Sequence, residues 1–528
     1  MFLIFSILPS SSSAQEGAQY QIVWQSATAI TTSQGGGEGG YALRNAIGQP
    51  QAETVAGENF LLHPGVLPGA FTVPNLVLLY VNADNDLYEY MHHLFRRAHV
   101  GAAETDGVVM MLLDGPGDDD SRLYRLDGGE AIDCPNVFAD YTCDSQYVDD
   151  KNVWRFSEDL GSPATLASFI VKQIQEYPAE RVILSLVGHG GGWSPNRLAG
   201  QPRPIVGQSD DELGGLLWDF HSIPGADTGH SISTTDLGDA LDEVRIAIGE
   251  QPIDLLYLDA CLMGMWEVAY EVKDNVQYLL ASESWSWTSF QYKEHLSAVK
   301  AGVSIEEIGT SWAQNEVTFL EENFETAYTY SLVDLSLMDE LGSKIDTLAQ
   351  QLIETLPDSR NQIASVFAET DRFDSSQDKD YVIDGLDNYA DLGHFTQVLA
   401  SKFPANADLL SAGEAVSATL SSAIVTNITQ SGILPATYPP NRWEWQNPSG
   451  LSIYLPLNPD ANDWKRKYYD QLSASKAHNW DEFIAEYWNS PAPSVPDCPD
   501  PCGVPFAALF VEATDLEESK IYLPFTSQ

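Results

Sequence analysis

Basic side chains are scarce in this chain of 528 residues: Lys and Arg number 26 against 76 Asp and Glu, for a formal net charge of −50. Binding to nucleic acid or to an anionic membrane surface requires patches of Lys and Arg that neutralise phosphate groups. The deficit therefore argues against both as partners. The acidic balance suits cationic substrates or calcium, although we expect most of these carboxylates to form a solvated surface.

Long apolar runs are also lacking, and no stretch approaches the roughly 20 residues that a membrane helix needs. The N-terminus reads MFLIFSILPSSSSAQEG, with an apolar run over residues 2–8 followed by small residues up to Ala14. This order is typical of a secretory signal, although no basic residue precedes the apolar run. We interpret residues 1–14 as a signal-like segment. The prediction is a protein without a transmembrane segment that is secreted or held at the extracellular surface.

Cysteine is rare, and the count of five is odd. Cys134 lies near Cys143 in the sequence, and Cys498 lies near Cys502. Two local disulfides would leave Cys261 unpaired, which fits an exported protein with one reactive thiol. The spacing of the first pair does not match a zinc site.

Two buried strands each deliver a reactive side chain at their carboxyl ends. Residues 253–258 are apolar on both faces and lead to Cys261, before an amphipathic helical pattern over residues 263–272. Residues 182–187 form a second apolar strand that leads to His189 and three glycines. If the two strands are parallel neighbours, both side chains face one crevice. A Cys with a His base is the minimal set for nucleophilic acyl transfer.

Plainer interpretations exist for each motif taken alone. Cys261 could be a buried small hydrophobe, and His189 a turn residue. The glycines could cradle a phosphate, but no Lys-Ser/Thr pair follows them. The presence of both motifs at strand ends favours catalysis. A thiol at a strand-to-helix turn also feels the helix N-terminus, which predicts a thiolate.

Acidic turns follow the first two predicted strands of the main domain. Asp84 and Asp86 come after the strand at residues 76–81, where helix capping is the favoured interpretation and calcium or substrate contact the alternative. The aspartates at residues 118–120 lie in a turn without EF-hand spacing, which favours an exposed loop. The sequence therefore leaves the ligands of any metal unassigned.

Composition divides the chain into four parts. The signal-like segment precedes a Gly- and Ser-rich region at residues 15–74, interpreted as an accessory β-rich region or propeptide. Residues 75–488 alternate strands and helices and form the main domain, with residues 304–372 largely helical and a strand within residues 449–456. Residues 489–528 are a Pro/Cys linker and a short tail with β character.

Four motifs carry a resemblance to a known family. GHGGGW around His189, DACLMGMWEVAYE around Cys261, the opening LYVNADNDL and the later GLSIYLP closely resemble clostripain-type cysteine peptidases, which belong to the caspase-like group. The resemblance implies an α/β fold, a caspase-like three-layer α/β/α sandwich with a mostly parallel sheet, here with small β-rich N-terminal and C-terminal segments. It implies Cys261 as nucleophile, His189 as general acid/base, and the backbone N–H groups of Gly190 and Cys261 as oxyanion hole.

The same resemblance implies specificity and processing. Asp259 matches the family's acidic residue in the S1 pocket, which selects Arg or Lys at P1. The following loop departs from the family pattern, so Glu283 is expected as a second charge and Trp285 as a residue that reshapes the pocket. Self-cleavage is expected between the two motifs, at the bond after Arg197. Calcium is the expected activator, and the chemistry itself requires no cofactor.

The sequence thus predicts a secreted cysteine endopeptidase that hydrolyses proteins or peptides after Arg or Lys through a His-Cys dyad and an acyl-enzyme. One alternative is a secreted binding or adhesion protein on a degenerate caspase-like scaffold. Another is the same dyad with transpeptidase activity or with a different P1 preference, such as Asn or Asp. The acidic Asp259 argues against an acidic P1 residue.

Overall fold

The structure is a computed structural model, and it describes residues 55–57, 60–62, 72–115, 121–126, 146–147, 159–193, 215–219, 230–375, 381–385, 387–434, 441–457 and 469–489. The strands in these ranges are β1 (Val55–Gly57), β2 (Phe60–Leu62), β3 (Leu76–Asn82), β4 (Val108–Asp114), β5 (Arg122–Arg125), β6 (Gln146–Tyr147), β7 (Val182–Val187), β8 (Leu216–Asp219), β9 (His230–Ile232), β10 (Ile253–Asp259), β11 (Val276–Ala281), β12 (Tyr328–Asp334), β13 (Arg372–Phe373), β14 (Tyr389–Asp391), β15 (Ile424–Gln430), β16 (Gly432–Ile433), β17 (Arg442–Trp443) and β18 (Ser452–Tyr454).

The helices alternate with these strands along the main domain. They are α1 (Met91–Ala102), α2 (Pro163–Glu176), α3 (Thr234–Ala247), α4 (Trp266–Val272), α5 (Tyr292–Ala298), α6 (Ile305–Asn323), α7 (Met338–Glu369), α8 (Leu392–Lys402), α9 (Ala407–Ala423), α10 (Ser473–Ala477) and α11 (Trp480–Asn489), with short 3-10 turns at Asp86–Tyr90 and Leu335–Leu337. No helix in the described ranges has both the length and the apolar character required to cross a bilayer.

A nine-stranded sheet forms the centre of the fold, in the order β15-β12-β11-β10-β7-β3-β4-β5-β6. The five strands from β11 to β4 run parallel. At the edges, β12 and β15 are antiparallel on one side, and β5 and β6 on the other. Every residue of β3, β4 and β7 is buried, as expected for parallel strands covered on both faces.

Helices cover both faces of this sheet and make three layers. Along β3, Leu78 and Tyr80 pack into one core, while Leu79 and Val81 pack into the other, because successive side chains point to opposite faces. Helices α2, α3, α4 and α7 contribute to the first core, and α1, α5 and α6 to the second. The predicted three-layer α/β/α sandwich with a mostly parallel sheet is confirmed.

Predictions for the smaller elements can also be compared with the structure. The largely helical stretch also contains β12, and the GLSIYLP strand is β18, which pairs with β14 in a separate three-stranded sheet. β1 and β2 form an antiparallel hairpin inside the predicted β-rich N-terminal region. The signal-like segment, the four cysteines predicted to form disulfides, residues 118–120 and the C-terminal tail lie outside the described residues, so these predictions stay untested.

Candidate active site

The strands β7 and β10 place the two predicted reactive residues at one edge of the sheet. They are parallel neighbours, with residues 255–259 in register with residues 183–187. His189 and Cys261 each lie two residues beyond the end of their strand. Because parallel strands end at the same edge, the turns that carry these residues meet there.

The His189 ring is held by Asp86, a residue for which the sequence favoured a helix-capping role. Its Nε2 lies 2.5 Å from Oδ1 of Asp86, which follows β3. The capping interpretation of Asp86 is wrong, since Asn85 is the residue whose side chain accepts a hydrogen bond from the N–H of Leu87. The hydrogen bond to His189 lowers the pKa of Asp86 and keeps it ionised. A carboxylate only accepts, so Nε2 carries a proton and Nδ1 is the acceptor of the neutral ring.

A short strand supports the other side of the imidazole. The Trp218 ring on β8 lies 5.0 Å from the His189 ring at an interplanar angle of 32°. The N–H of Leu217 donates to the carbonyl of His189 at 2.9 Å. Side-chain amides from the end of β3 hold β8, since Asn82 donates to the Leu217 carbonyl and Asn85 to the Trp218 carbonyl. Backbone and ring contacts therefore fix the histidine turn.

Gly190 lies where the histidine turn approaches the cysteine turn most closely. A Cβ at this position would lie 2.4 Å from the carbonyl oxygen of Cys261 and 2.9 Å from Cβ of Ala260. Glycine is thus required for the approach. On the cysteine side, Leu262 adopts a left-handed φ of 65°, and its N–H donates to the carbonyl of Ser284 at 2.8 Å.

The Cys261 thiol is free and half-buried, and its Sγ donates to the carbonyl oxygen of Ser286 at 3.7 Å. In the described part of the chain, Sγ makes no direct hydrogen bond with the His189 ring. Burial of the sulfur raises the pKa of Cys261 to about 12, and the negative charges of Asp259, Asp374 and Asp86 add to the effect. The Cys261 side chain is therefore a neutral thiol in this structure.

The prediction of a thiolate stabilised by a helix N-terminus is wrong for this geometry. Helix α4 begins at Trp266, and residues 262–265 separate its first turn from Cys261. The effect of a helix dipole falls off within the first turn. The helix N-terminus therefore does not lower the pKa of the Cys261 thiol in this geometry.

Asp259 ends β10 and is 5% exposed. Its Oδ1 accepts a hydrogen bond from Oγ of Ser286 at 3.0 Å, and its Oδ2 accepts one from the hydroxyl of Tyr292 at 2.9 Å. Tyr292 also contacts Oγ of Ser185 on β7 at 2.7 Å. Burial, followed by the nearby Glu316 carboxylate, raises the pKa of Asp259 to about 7, and the two hydroxyl donors oppose this rise. The carboxyl group thus titrates near neutral pH.

Glu283 does not face the crevice, and the expectation of a second charge there is wrong. It is 1% exposed, and its Oε2 accepts a hydrogen bond from the N–H of Gly450 at 3.1 Å. Burial and the neighbouring Asp391 raise the pKa of Glu283 well above its usual range. Its carboxyl group therefore joins two loops in the interior.

Trp285 is half-buried and directly precedes Ser286, the residue whose carbonyl oxygen contacts the Cys261 thiol. Its indole N–H donates to the carbonyl of Asp374 at 3.3 Å. Its ring lies 5.3 Å from Tyr381 and 5.2 Å from Trp443, both at nearly perpendicular angles. Trp285 and Cys261 pack against the same core. These rings pack together next to Ser286, whose carbonyl oxygen accepts the contact from Cys261 Sγ.

Three buried carboxylates near the histidine turn fit a divalent cation. Oxygen atoms of Asp84, Asp114 and Asp219 lie within 4.8 Å of one another. Asp219 is fully buried, with Oδ2 bound by the N–H of Leu160 and Oδ1 without a hydrogen-bond partner among the described residues. Without a cation, burial and the carboxylates of Asp159 and Asp84 raise the pKa of Asp219 to about 9. Hard oxygen donors of this kind suit calcium.

The structure also shows contacts that sequence reasoning missed. Asp86 lies in the LYVNADNDL motif at the end of β3, and the adjacency of β3 and β7 was the signal that could have linked it to His189. No pattern in the sequence predicted the contacts of Ser286 and Tyr292 with Asp259. Arg197 lies outside the described residues, so its cleavage stays a prediction.

The fold and the paired strand ends define an α/β protein of the caspase-like class with a cysteine and a histidine at one sheet edge. The clostripain family model matches residues 79–488. The chain therefore belongs to the clostripain family of cysteine proteases.

Individual relatives agree with this assignment. Clostripain from Hathewaya histolytica is 26% identical over 218 residues, which cover 39% of this chain and 35% of that protein, so the match spans about a third of the relative's length. The inactive zymogen of a C11 protease from Parabacteroides distasonis superposes with a TM-score of 0.50 at 20% identity, covering 77% of this chain and 98% of that one.

A secreted C11 cysteine protease from Bacteroides thetaiotaomicron, bound to an irreversible peptide inhibitor, gives a TM-score of 0.53 at 14% identity, covering 77% of this chain and 99% of that one. At these identities the two solved structures support the fold alone.

Proposed function

We propose that the protein is a cysteine endopeptidase that cleaves after Arg or Lys, with Cys261 as nucleophile and His189 as general acid/base. The observation that carries the proposal is the pair of parallel strands that brings both residues to one edge, with the Asp259 carboxylate directly before the cysteine turn. Family membership supports the class of reaction.

The proposed reaction proceeds through an acyl-enzyme. His189 accepts the proton of Cys261 through Nδ1, because Asp86 occupies Nε2. The sulfur attacks the scissile carbonyl carbon, and the N–H groups of Gly190 and Cys261 stabilise the resulting oxyanion. His189 then donates the proton to the leaving amine. A water molecule, deprotonated by His189, releases the carboxylic acid and restores the thiol.

Asp259 supports the preference for a basic P1 side chain. Its carboxylate ends the strand that leads to the nucleophile, and it is shielded from water. A guanidinium or ammonium group placed on such a carboxylate makes charge-assisted hydrogen bonds, which are stronger than neutral ones. Trp285 forms an aromatic wall nearby. With a neutral P1 side chain the Asp259 carboxyl group keeps its hydrogen bonds from Ser286 and Tyr292 but gains no charge-assisted partner, and an acidic P1 side chain would be repelled by the anion.

Activation and export complete the proposal. The protein is proposed to cleave itself after Arg197, in the segment between β7 and β8, and to be exported through its signal-like N-terminus. Support for self-cleavage is the position of this segment between the two turns of the dyad. Support for export is the apolar run followed by small residues.

We also propose calcium as an activator, held by Asp84, Asp114 and Asp219. The fully buried Asp219 oxygen without a partner supports this assignment. A bound cation would offset the mutual repulsion of the three carboxylates and hold the ends of β3, β4 and β8 together. These strands support the histidine turn.

The test is cleavage of a fluorogenic peptide library varied at P1, with wild type and Cys261→Ala side by side, in calcium and in chelator. Cleavage confined to Arg and Lys and lost in the variant is the expected result. Cleavage after other residues would refute the assignment of Asp259. If neither cleavage nor labelling by a thiol-reactive peptide probe occurs, the enzyme proposal fails in favour of a binding protein.

A further inference from the structure

Ser286 contacts both the S1 carboxylate and the nucleophile. Its Oγ donates to Oδ1 of Asp259 at 3.0 Å, and its carbonyl oxygen accepts the S–H of Cys261 at 3.7 Å. Oγ also lies 3.4 Å from the hydroxyl of Tyr330. One residue therefore links the group that would bind substrate to the group that would attack it.

We propose that Ser286 is a positioning residue that couples binding of a basic P1 side chain at Asp259 to release of the Cys261 thiol towards His189. The inference rests on the proposed function, because it requires Asp259 to bind a cation. It adds a control step: the free protein holds the thiol on the Ser286 carbonyl, and the substrate's own charge frees it.

The first part of the coupling is competition for Oδ1 of Asp259. The Ser286 hydroxyl makes a single hydrogen bond to the carboxylate there, whereas a guanidinium brings an opposite charge and can offer two parallel N–H donors. Displacement of the hydroxyl removes the side-chain anchor of Ser286. Its carbonyl can then move from Sγ, and the thiol proton passes to Nδ1 of His189.

The second part of the coupling is electrostatic. The carboxylates of Asp259, Asp374 and Asp86 all act against a negative charge on Cys261. A cation at Asp259 offsets one of them.

Several titratable groups face Asp259 from the packed elements. They are Glu316 from α6, His295 and Tyr292 from α5, and Tyr257 and Tyr330 from the sheet. His295 is itself paired with Glu316 at 2.8 Å, and burial lowers its pKa to about 3, so it stays neutral. The substrate cation is then the change in charge that reaches the thiol.

The test measures alkylation of Cys261 by iodoacetamide, an uncharged reagent whose carbon replaces the thiol proton as iodide leaves. The rate is measured at pH 7 with and without methylguanidinium, which mimics the tip of an arginine side chain. For wild type we expect acceleration of about tenfold, the change in thiolate fraction for one pKa unit. Asp259→Asn should show none.

Variants of Ser286 distinguish the positioning effect of its hydroxyl from the electrostatic effect of the bound cation. In Ser286→Ala the hydroxyl anchor is gone, and we expect methylguanidinium to accelerate alkylation by less than about threefold, the part left to charge. Ser286→Thr keeps a hydroxyl and should restore the wild-type response. Because an unfolded variant would also lose the response, competition between methylguanidinium and an Arg-P1 peptide is measured in each variant to show that the Asp259 site is intact.

The possible outcomes are distinct. If methylguanidinium competes with an Arg-P1 peptide but accelerates alkylation equally in wild type and Ser286→Ala, the positioning role is refuted. If it competes but does not accelerate alkylation in wild type, the coupling is refuted while the S1 assignment stands. If it neither competes nor accelerates, and the peptide library shows no basic preference, the proposed S1 site fails together with the coupling.

Discussion

The hydroxyl of Tyr292 provides a sharp test of the buried carboxylate. It donates to Oδ2 of Asp259 at 2.9 Å, and it lowers the pKa that burial has raised to about 7. If Asp259 binds a basic P1 side chain as proposed, the anion is required, and kcat/KM for an Arg-P1 peptide should rise with pH through about 7. The Tyr292→Phe variant removes a donor to the anion, and the rise should move to higher pH.

The size of the shift follows from the hydrogen bond. A hydrogen bond to a charged group contributes about 1.5–3 kcal/mol, and one pKa unit corresponds to about 1.4 kcal/mol. We therefore expect the midpoint to rise by about one to two units. The assay is the pH profile of kcat/KM for an Arg-P1 peptide divided by that for a neutral-P1 peptide, since the ratio cancels the titration of the proposed Cys261–His189 dyad.

Stability changes in a predictable direction as well. The folded pKa of Asp259 exceeds its unfolded value, so its contribution to stability is fully present below about pH 4 and is lost as pH rises through about 7. In Tyr292→Phe the folded pKa of Asp259 is higher, so the decline in stability continues to a higher pH. Thermal unfolding between pH 4 and 9 measures this effect.

Tyr278→Phe is the matched control, because Tyr278 on β11 makes its hydrogen bond with the exposed Glu306, on a surface without contact to Asp259 among the described residues. Its ratio profile should coincide with that of wild type. An unmoved profile for Tyr292→Phe, or a shift to lower pH, would refute the role assigned to the hydroxyl.

Three further changes test the site. Asp86→Asn should lower kcat/KM about fivefold, since its hydrogen bond to His189 is solvent-exposed and worth about 1 kcal/mol. Asp242→Asn, at a remote exposed ion pair, should leave kcat/KM unchanged, and equal effects would contradict the role of Asp86. Gly190→Ala should lower kcat about 100-fold, because its Cβ would displace the turn, and an unchanged kcat would contradict the close approach. Calcium at 100 times its Kd should stabilise wild type by about 2.7 kcal/mol in thermal unfolding but not Asp219→Asn, and equal stabilisation would place the cation elsewhere.

The sequence predicted the central features because they depend on local pattern. Apolar runs at residues 182–187 and 253–258 identified two interior strands, and the turns after them identified His189 and Cys261. Parallel strands end at one edge, so their adjacency followed from a rule of fold geometry.

Features that depend on tertiary contacts could not be predicted in the same way. β12 lies within a stretch that otherwise forms helices, and its place in the sheet comes from antiparallel pairing with β11 and β15. Glu283 looks accessible in sequence, yet backbone bonds between its loop and residues 262–264 turn it inward. Which hydroxyls reach Asp259 depends on α5 and on a loop conformation that no local pattern encodes.

The hydroxyls around Asp259 also limit how the proposed P1 specificity could change during evolution. Hydrogen bonds connect β10, α5 and β7 through Asp259, Tyr292 and Ser185. The residues proposed to determine P1 specificity are therefore part of the buried interior. Replacement of the aspartate alone would strand buried donors, a cost of about 1–3 kcal/mol for each. A lineage that acquires a different P1 preference must therefore alter several of these positions together, or first gain stability elsewhere.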